Sequence, residues 1–117
     1  LTQALLQRIK EQGSGNIFNM CSVVNRKPRV DGASYTISKF AFYGYHQLLH
    51  KTLLPEGIKV TGFFPSSIAT SSWDGMDAPF AEFVQPEDIA SMVENILGMQ
   101  RGTVPSEIDL VAINPDY

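Results

Sequence analysis

The chain has 117 residues, of which 44% are hydrophobic and 18% charged, with a formal net charge of -3. That length suits one small domain or half of a larger one, and the apolar content excludes wholesale disorder. The mild acidity argues against nucleic acid as the main partner, no apolar run approaches the ~18 residues of a membrane span, and the single Cys21 excludes an intrachain disulfide framework and a cysteine-based zinc site. A reducing, cytoplasmic compartment is the default for such a chain.

Leu1, Leu5, Leu6 and Ile9 recur at helical spacing, with Gln7, Arg8, Lys10 and Glu11 between them. Thr2 can cap this helix, but no capping residue precedes it, so its start is expected upstream and the chain is expected to be a piece of a longer one. Charges interrupt the apolar residues, so the segment does not read as a signal peptide. Gly13-Ser14-Gly15 stops the helix. Residues 16–22 read as a short buried strand. A loop over 23–33 follows, broken by Pro28 and Gly32. The next helix is predicted over 34–54. Its core face is expected to be Ile37, Phe40, Ala41, Gly44 and Leu48. Phe42, Tyr43, Tyr45 and Leu49 form a second apolar face, which is expected to pack on another subunit.

Pro55-Glu56-Gly57 ends that helix. A second strand runs over 58–64 and Pro65 closes it. The polar stretch to residue 84 is long for a loop, and long loops are often functional. Gln85-Pro86-Glu87-Asp88 opens a third helix, with proline at its first position and acids in its first turn. Ile89, Met92, Val93 and Ile96 make its apolar stripe, and Gly98 and Gly102 bracket its end. A third strand is predicted over 107–113. Each strand-to-strand connection contains a helix, so the fold class is α/β with three parallel strands and right-handed crossovers. The first strand is an exposed edge unless something upstream covers it.

Tyr35 and Lys39 stand at i and i+4 on one face of the long helix. Tyrosine is a poor acid or base at neutral pH, with a reference pKa of ~10. A neighbouring ammonium favours the phenolate, so the pair reads as a tuned proton donor and acceptor. Ser22 ends the preceding strand. Strand ends and the helix starts that follow them meet at one edge of a parallel sheet, where ligands bind. Ser22, Tyr35 and Lys39 are therefore expected to converge.

In the segments N-M-C-S (19–22), A-S-Y-T-I-S-K-F-A (33–41), G-I-K-V-T (57–61), P-S-S-I-A-T (65–70) and Q-P-E-D-I-A (85–90), the chain resembles the C-terminal half of a short-chain dehydrogenase/reductase, of the 3-oxoacyl-thioester reductase kind. The resemblance implies a three-layer Rossmann-like parallel sheet, of which residues 1–117 are a single partial domain, the catalytic half. It implies NAD or NADP as cofactor and hydride transfer to or from a small carbonyl or alcohol substrate. By resemblance Tyr35 is the general acid or base, and Lys39 lowers its pKa and binds the nicotinamide ribose. Ser22 holds the substrate oxygen, and Pro65, Ile68 and Thr70 border the nicotinamide. The 71–84 stretch is the substrate lid. The implied assembly is a homodimer or homotetramer, and no catalytic metal is implied.

Two departures stand out. The family usually carries Pro-Gly where this chain has Pro65-Ser66, which puts a close backbone approach in doubt. The Gly-rich phosphate turn lies in the half that does not match any residue here. Gly13-Ser14-Gly15 follows a helix and precedes a strand, the reverse of a dinucleotide turn. The dinucleotide-binding half is thus expected outside residues 1–117, and this chain alone is expected to be inactive. The competing class is a non-catalytic oligomerisation or interaction module. His46 and His50 have metal-like i, i+4 spacing but read as solvent or interface residues. Cys21 reads as an inert strand residue. Asn25-Arg26-Lys27 and Arg29 read as a solvated loop, with an anionic ligand tail as the alternative. Trp73, Met76, Phe80 and Phe83 fit an apolar lid or simple loop packing equally.

Overall fold

The structure is a computed structural model that describes residues 1–114. Its elements run α1 (Thr2–Gln12), β1 (Gly15–Met20), α2 (Ala33–Leu53), β2 (Ile58–Pro65), α3 (Pro86–Leu97) and β3 (Glu107–Leu110). Short 3-10 turns follow β1 (Val23–Asn25) and α2 (Leu54–Glu56), and two more (Ser71–Trp73, Phe80–Glu82) lie between β2 and α3. The strands form one sheet in the order β1-β2-β3, and both pairings are parallel.

The turns into β1 and β2 use glycine for a steric reason. Gly13 ends α1 at φ 65° and Gly57 precedes β2 at φ 79°, both in the left-handed region. The two also touch: a Cβ on Gly57 would lie 2.9 Å from the Gly13 carbonyl oxygen.

The central strand is apolar almost throughout because both of its faces are covered. Ile58 and Val60 point to one side, where they meet Leu49 and Leu53 of α2 and, more loosely, Leu6 and Ile9 of α1. Phe63 points to the other side, against Val84 and against Ile89 and Ile96 of α3. Each such fully buried side chain contributes about 1.5–3 kcal/mol. The result is three layers, with helices on both faces of the sheet.

The long helix corrects the expected core face. The buried residues of α2 are His46, Leu49 and Leu53. Ile37 and Leu48 of the expected core stripe are 69% and 66% exposed, and Phe40 is exposed as well. Tyr43 and Tyr45, expected to face a partner, lie half-buried against the sheet side. The helix is apolar on two sides, and a 3.6-residue period marks both stripes without saying which one meets the sheet.

Boundaries shift elsewhere. β1 stops at Met20, so Ser22 caps the 3-10 turn instead of ending the strand. β3 stops at Leu110, so residues 111–113 lie beyond it. Pro65 is the last residue of β2. The Cys21 N–H still donates to the Phe63 carbonyl at 2.8 Å. The next bond of a parallel ladder would come from residue 65, which as proline has no N–H. The β1–β2 ladder ends there, and the segments after the two strands diverge.

Candidate functional site

The divergence opens a cleft of about 540 Å³ at the carboxyl ends of β1 and β2. Ser22, Tyr35, Ile68 and Thr70 are among the residues that line it. Pro65 and Lys39 are not: Pro65 is buried at the strand end, and Lys39 stands beside the cleft.

Ser22 is held by its own turn. Its Oγ accepts from the Val24 N–H at 3.3 Å, and its N–H donates to Asn25 Oδ1 at 3.1 Å. This is a reciprocal capping box on a 3-10 turn. Tyr35, in the first turn of α2, donates its hydroxyl to Ser22 Oγ at 3.3 Å. Lys39, one helical turn further, donates from Nζ to the Met20 carbonyl at 3.1 Å. Its ammonium lies 5.8 Å from the Tyr35 ring centre. A buried hydroxyl, a half-exposed phenol and an ammonium are thus gathered where β1 meets α2.

The far wall comes from the stretch after β2. Its base is pinned by Val84 N–H to Ser67 O at 2.9 Å and Ala69 N–H to Val84 O at 3.0 Å. In such a parallel bridge the flanking residues carry the bonds, so the N–H and C=O of Ile68 point away from Val84. Ile68 lines the cleft and keeps one backbone donor and one acceptor that Val84 does not use. Trp73 and Met76 line the cleft too, whereas Phe83 is buried and packs on Trp73 and Phe80. Two of the four lid candidates face the cleft and two hold the loop together.

The departure at Ser66 has a visible role. Its N–H donates to the Leu110 carbonyl at 2.8 Å, and its Oγ accepts from the Ala112 N–H at 2.7 Å. The serine ties the segment after β2 to the end of β3.

The basic cluster is a structural tie at Arg26. Its guanidinium reaches Asp109 at 2.9 and 3.4 Å and Glu107 at 3.4 Å, and lies 3.8 Å over the Phe64 ring centre. The hydrogen bonds to Asp109 hold its pKa above the ordinary arginine value. Arg29 pairs with Asp31 at 2.7 Å in the open, at the rim of the cleft. Asn25 is buried and is the member of the cluster that hydrogen-bonds Ser22 and the Lys39 carbonyl.

His46 is a core residue, contrary to the solvent reading. It is almost fully buried, and Asn19 Nδ2 donates to its Nδ1 at 3.1 Å. Burial pushes its pKa down. His50 bonds the Val60 carbonyl through Nδ1 at 2.9 Å. Among the described residues no group of three or more His, Cys, Asp or Glu side chains is arranged to hold a metal. No helix among them is long and apolar enough to cross a membrane. Cys21 is buried, and desolvation pushes its thiol up to about 11 even though Lys39 and Arg26 act the other way.

Comparison with known proteins decides what this arrangement belongs to. The family model for short chain dehydrogenases matches residues 1–79, the segment that carries Ser22, Tyr35, Lys39 and the start of the far wall. The chain is a member of the short-chain dehydrogenase family. Over 115 residues it is 32% identical to an uncharacterised oxidoreductase of Staphylococcus epidermidis, covering 97% of this chain and 48% of that protein. It is 32% identical over 111 residues to a sepiapterin reductase of Chlorobaculum tepidum, covering 94% and 46%. Among solved structures it superposes on a β-ketoacyl-[ACP] reductase of Bacteroides thetaiotaomicron with a TM-score of 0.79 and 26% identity, covering 95% of this chain and 46% of that one. The chain spans about half the length of the relatives it matches.

For this dehydrogenase-family chain, Asn25 and His46 are the residues that read in order as part of a solvated loop and as a solvent or interface residue but that the structure buries. A signal for Asn25 existed: Ser22-x-x-Asn25 has the spacing of a capping box. His46 had no such signal, because its partner Asn19 lies on another element.

Proposed function

We propose that this chain supplies the proton-handling half of an NAD(P)-dependent reductase or dehydrogenase acting on a small carbonyl or alcohol. The observation that carries the proposal is the 3.3 Å hydrogen bond from Tyr35 to Ser22 at the wall of the cleft. A carbonyl oxygen placed beside both hydroxyls would take a hydrogen bond from each.

The residues present fit a nicotinamide. Ile68 offers one backbone donor and one acceptor, which suits a carboxamide, and Thr70 stands next to it in the cleft wall. Lys39 is close enough to Tyr35 to reach a ribose hydroxyl in exchange for the Met20 carbonyl. Pro65 shapes the floor by ending the ladder. When bound, the nicotinamide supplies or accepts the hydride. In reduction the carbonyl oxygen would gain the C=O π pair as its carbon becomes a carbinol. That oxygen takes the Tyr35 proton, and solvent reprotonates the phenolate. Oxidation runs the same steps backwards, with Tyr35 as base. Ser22 holds the oxygen throughout, and Trp73 and Met76 keep water from the reacting carbon.

The dinucleotide grip is assigned to sequence outside residues 1–117, so turnover by this chain alone is not expected. The exposed stripe of Ile37, Phe40 and Leu48 on α2 is assigned to a subunit contact in a homodimer or homotetramer. The cytoplasm is the proposed compartment.

The test is label transfer. Full-length protein is incubated with a ketone panel and NADPH or NADH bearing deuterium at both C4 positions. Deuterium at the new carbinol carbon supports the reading; alcohol formed without label, or no alcohol from any ketone, overturns it.

A further inference from the structure

We propose that Asn25 is a positioning residue that sets the distance between Ser22 and the helix carrying Tyr35 and Lys39. The inference rests on the function proposed above and adds a residue to the same site.

The problem Asn25 solves is one of connection. Ser22 sits on a turn, whereas Tyr35 and Lys39 sit on α2, 13 and 17 residues later. The chain between them is exposed from Arg26 to Asp31, so the connecting loop does not itself fix their spacing. The contact between the Tyr35 and Ser22 hydroxyls cannot do so either, because a substrate oxygen must come between them.

The Asn25 side chain bridges the gap with both of its polar ends. Oδ1 accepts from the Ser22 N–H at 3.1 Å, and Nδ2 donates to the Lys39 carbonyl at 2.8 Å. The residue is buried, and the amide between the two bonds is planar and short. It acts as a spacer of fixed length. The two bonds separate its roles. A cap on a three-residue turn needs only the acceptor, so the bond to Lys39 does nothing for the turn itself. What that bond fixes is where α2 stands relative to Ser22. On the other side the turn is tied to β3 by Arg26, through Asp109 and Glu107 and its seat on Phe64. Asn25 therefore works from an anchored base.

Reactions that depend on near-attack geometry are sensitive to such spacing. A misplacement of about 1 Å costs roughly 100-fold in rate. Loss of the spacer should therefore show most in the chemical step and less in nicotinamide affinity, since Ile68 and Thr70 lie on another wall and only Lys39 moves with α2.

The experiment compares Asn25→Ala, Asn25→Asp and Tyr35→Phe with wild type in the full-length protein. The probe is the fastest substrate of a panel containing ethyl acetoacetate, diacetyl and acetophenone, with NADPH and with NADH. Asn25→Asp keeps the acceptor for Ser22 and loses the donor for Lys39, so it retains the cap if Asn25→Ala does not fold. The expected result is a kcat lower by roughly 10- to 100-fold in both variants, with a smaller rise in KM for the nicotinamide, about fivefold or less. A kcat within about twofold of wild type while Tyr35→Phe is inactive overturns the role of Asn25 alone. A loss confined to KM or to melting temperature overturns it as well, because a merely structural cap would give that. Turnover undiminished in Tyr35→Phe, or no turnover by wild type across the panel, overturns the functional reading and this inference with it.

Discussion

A Cβ placed on Gly62 would lie 2.9 Å from both Cε1 and Nε2 of His46. Gly62 is in the middle of β2, and the bare backbone there makes room for a flat imidazole from α2. Asn19 Nδ2 on β1 donates to the His46 Nδ1 at 3.1 Å. A histidine on the helix is thus tied to the edge strand β1 beneath the central one.

Gly62→Ala should be costly for this reason. The new methyl meets a buried ring held by Asn19 and packed against Tyr43, His50 and Phe64, and it would also lie 3.1 Å from Phe64. Overpacking of this kind costs about 1–3 kcal/mol. Urea unfolding of wild type and variant measures it, and an unchanged midpoint would show that His46 is free to move.

His46 also gives stability a pH dependence of known sign. Burial holds its folded-state pKa below the ordinary value of 6.5. The unfolded chain therefore takes up a proton first as pH falls. Stability is full above about 6.5, drops as pH falls below it, and stops dropping below the folded-state pKa. The groups that face the ring are Glu107, His50 and Arg26. Glu107 opposes the downward shift, whereas His50 and Arg26 reinforce it. Unfolding free energies between pH 5 and 8 check this, and His46→Gln should flatten the curve over that window.

The exposed stripe on α2 predicts an assembly. Ile37→Asp combined with Leu48→Asp should lower the sedimenting mass of the protein to that of a monomer. These residues stand away from the cleft, so the fold and the Ser22–Tyr35 contact should survive, as circular dichroism would show. A mass unchanged by the two aspartates would place the subunit contact elsewhere.

How much of this was legible in the residues varies by element. The third helix was fully signalled, because Pro86 at its first position, Glu87 and Asp88 in the first turn and the stripe from Ile89 to Ile96 all agree. Ser22, Tyr35 and Lys39 were legible because one strand, one loop and one helix determine their convergence. The orientation of α2 was not, since Ile37–Leu48 and Tyr43–Leu53 are both apolar and only the sheet distinguishes them. Arg26 looked like a solvated charge because its carboxylate partners lie 81 and 83 residues away, on a strand whose pairing with β2 a linear reading does not place beside that loop. Local chemistry was readable; partners that meet only through the sheet were not.

The central claim is that the Tyr35 hydroxyl handles the proton. The direct measurement is kcat of Tyr35→Phe against wild type in the full-length protein, followed as NADPH or NADH oxidation with the best ketone of the panel. The variant loses only an oxygen that sits 3.3 Å from Ser22 at the cleft wall. The account predicts a fall of roughly 100- to 10,000-fold, the range for loss of a general acid. A Tyr35→Phe enzyme that keeps its wild-type rate would contradict it.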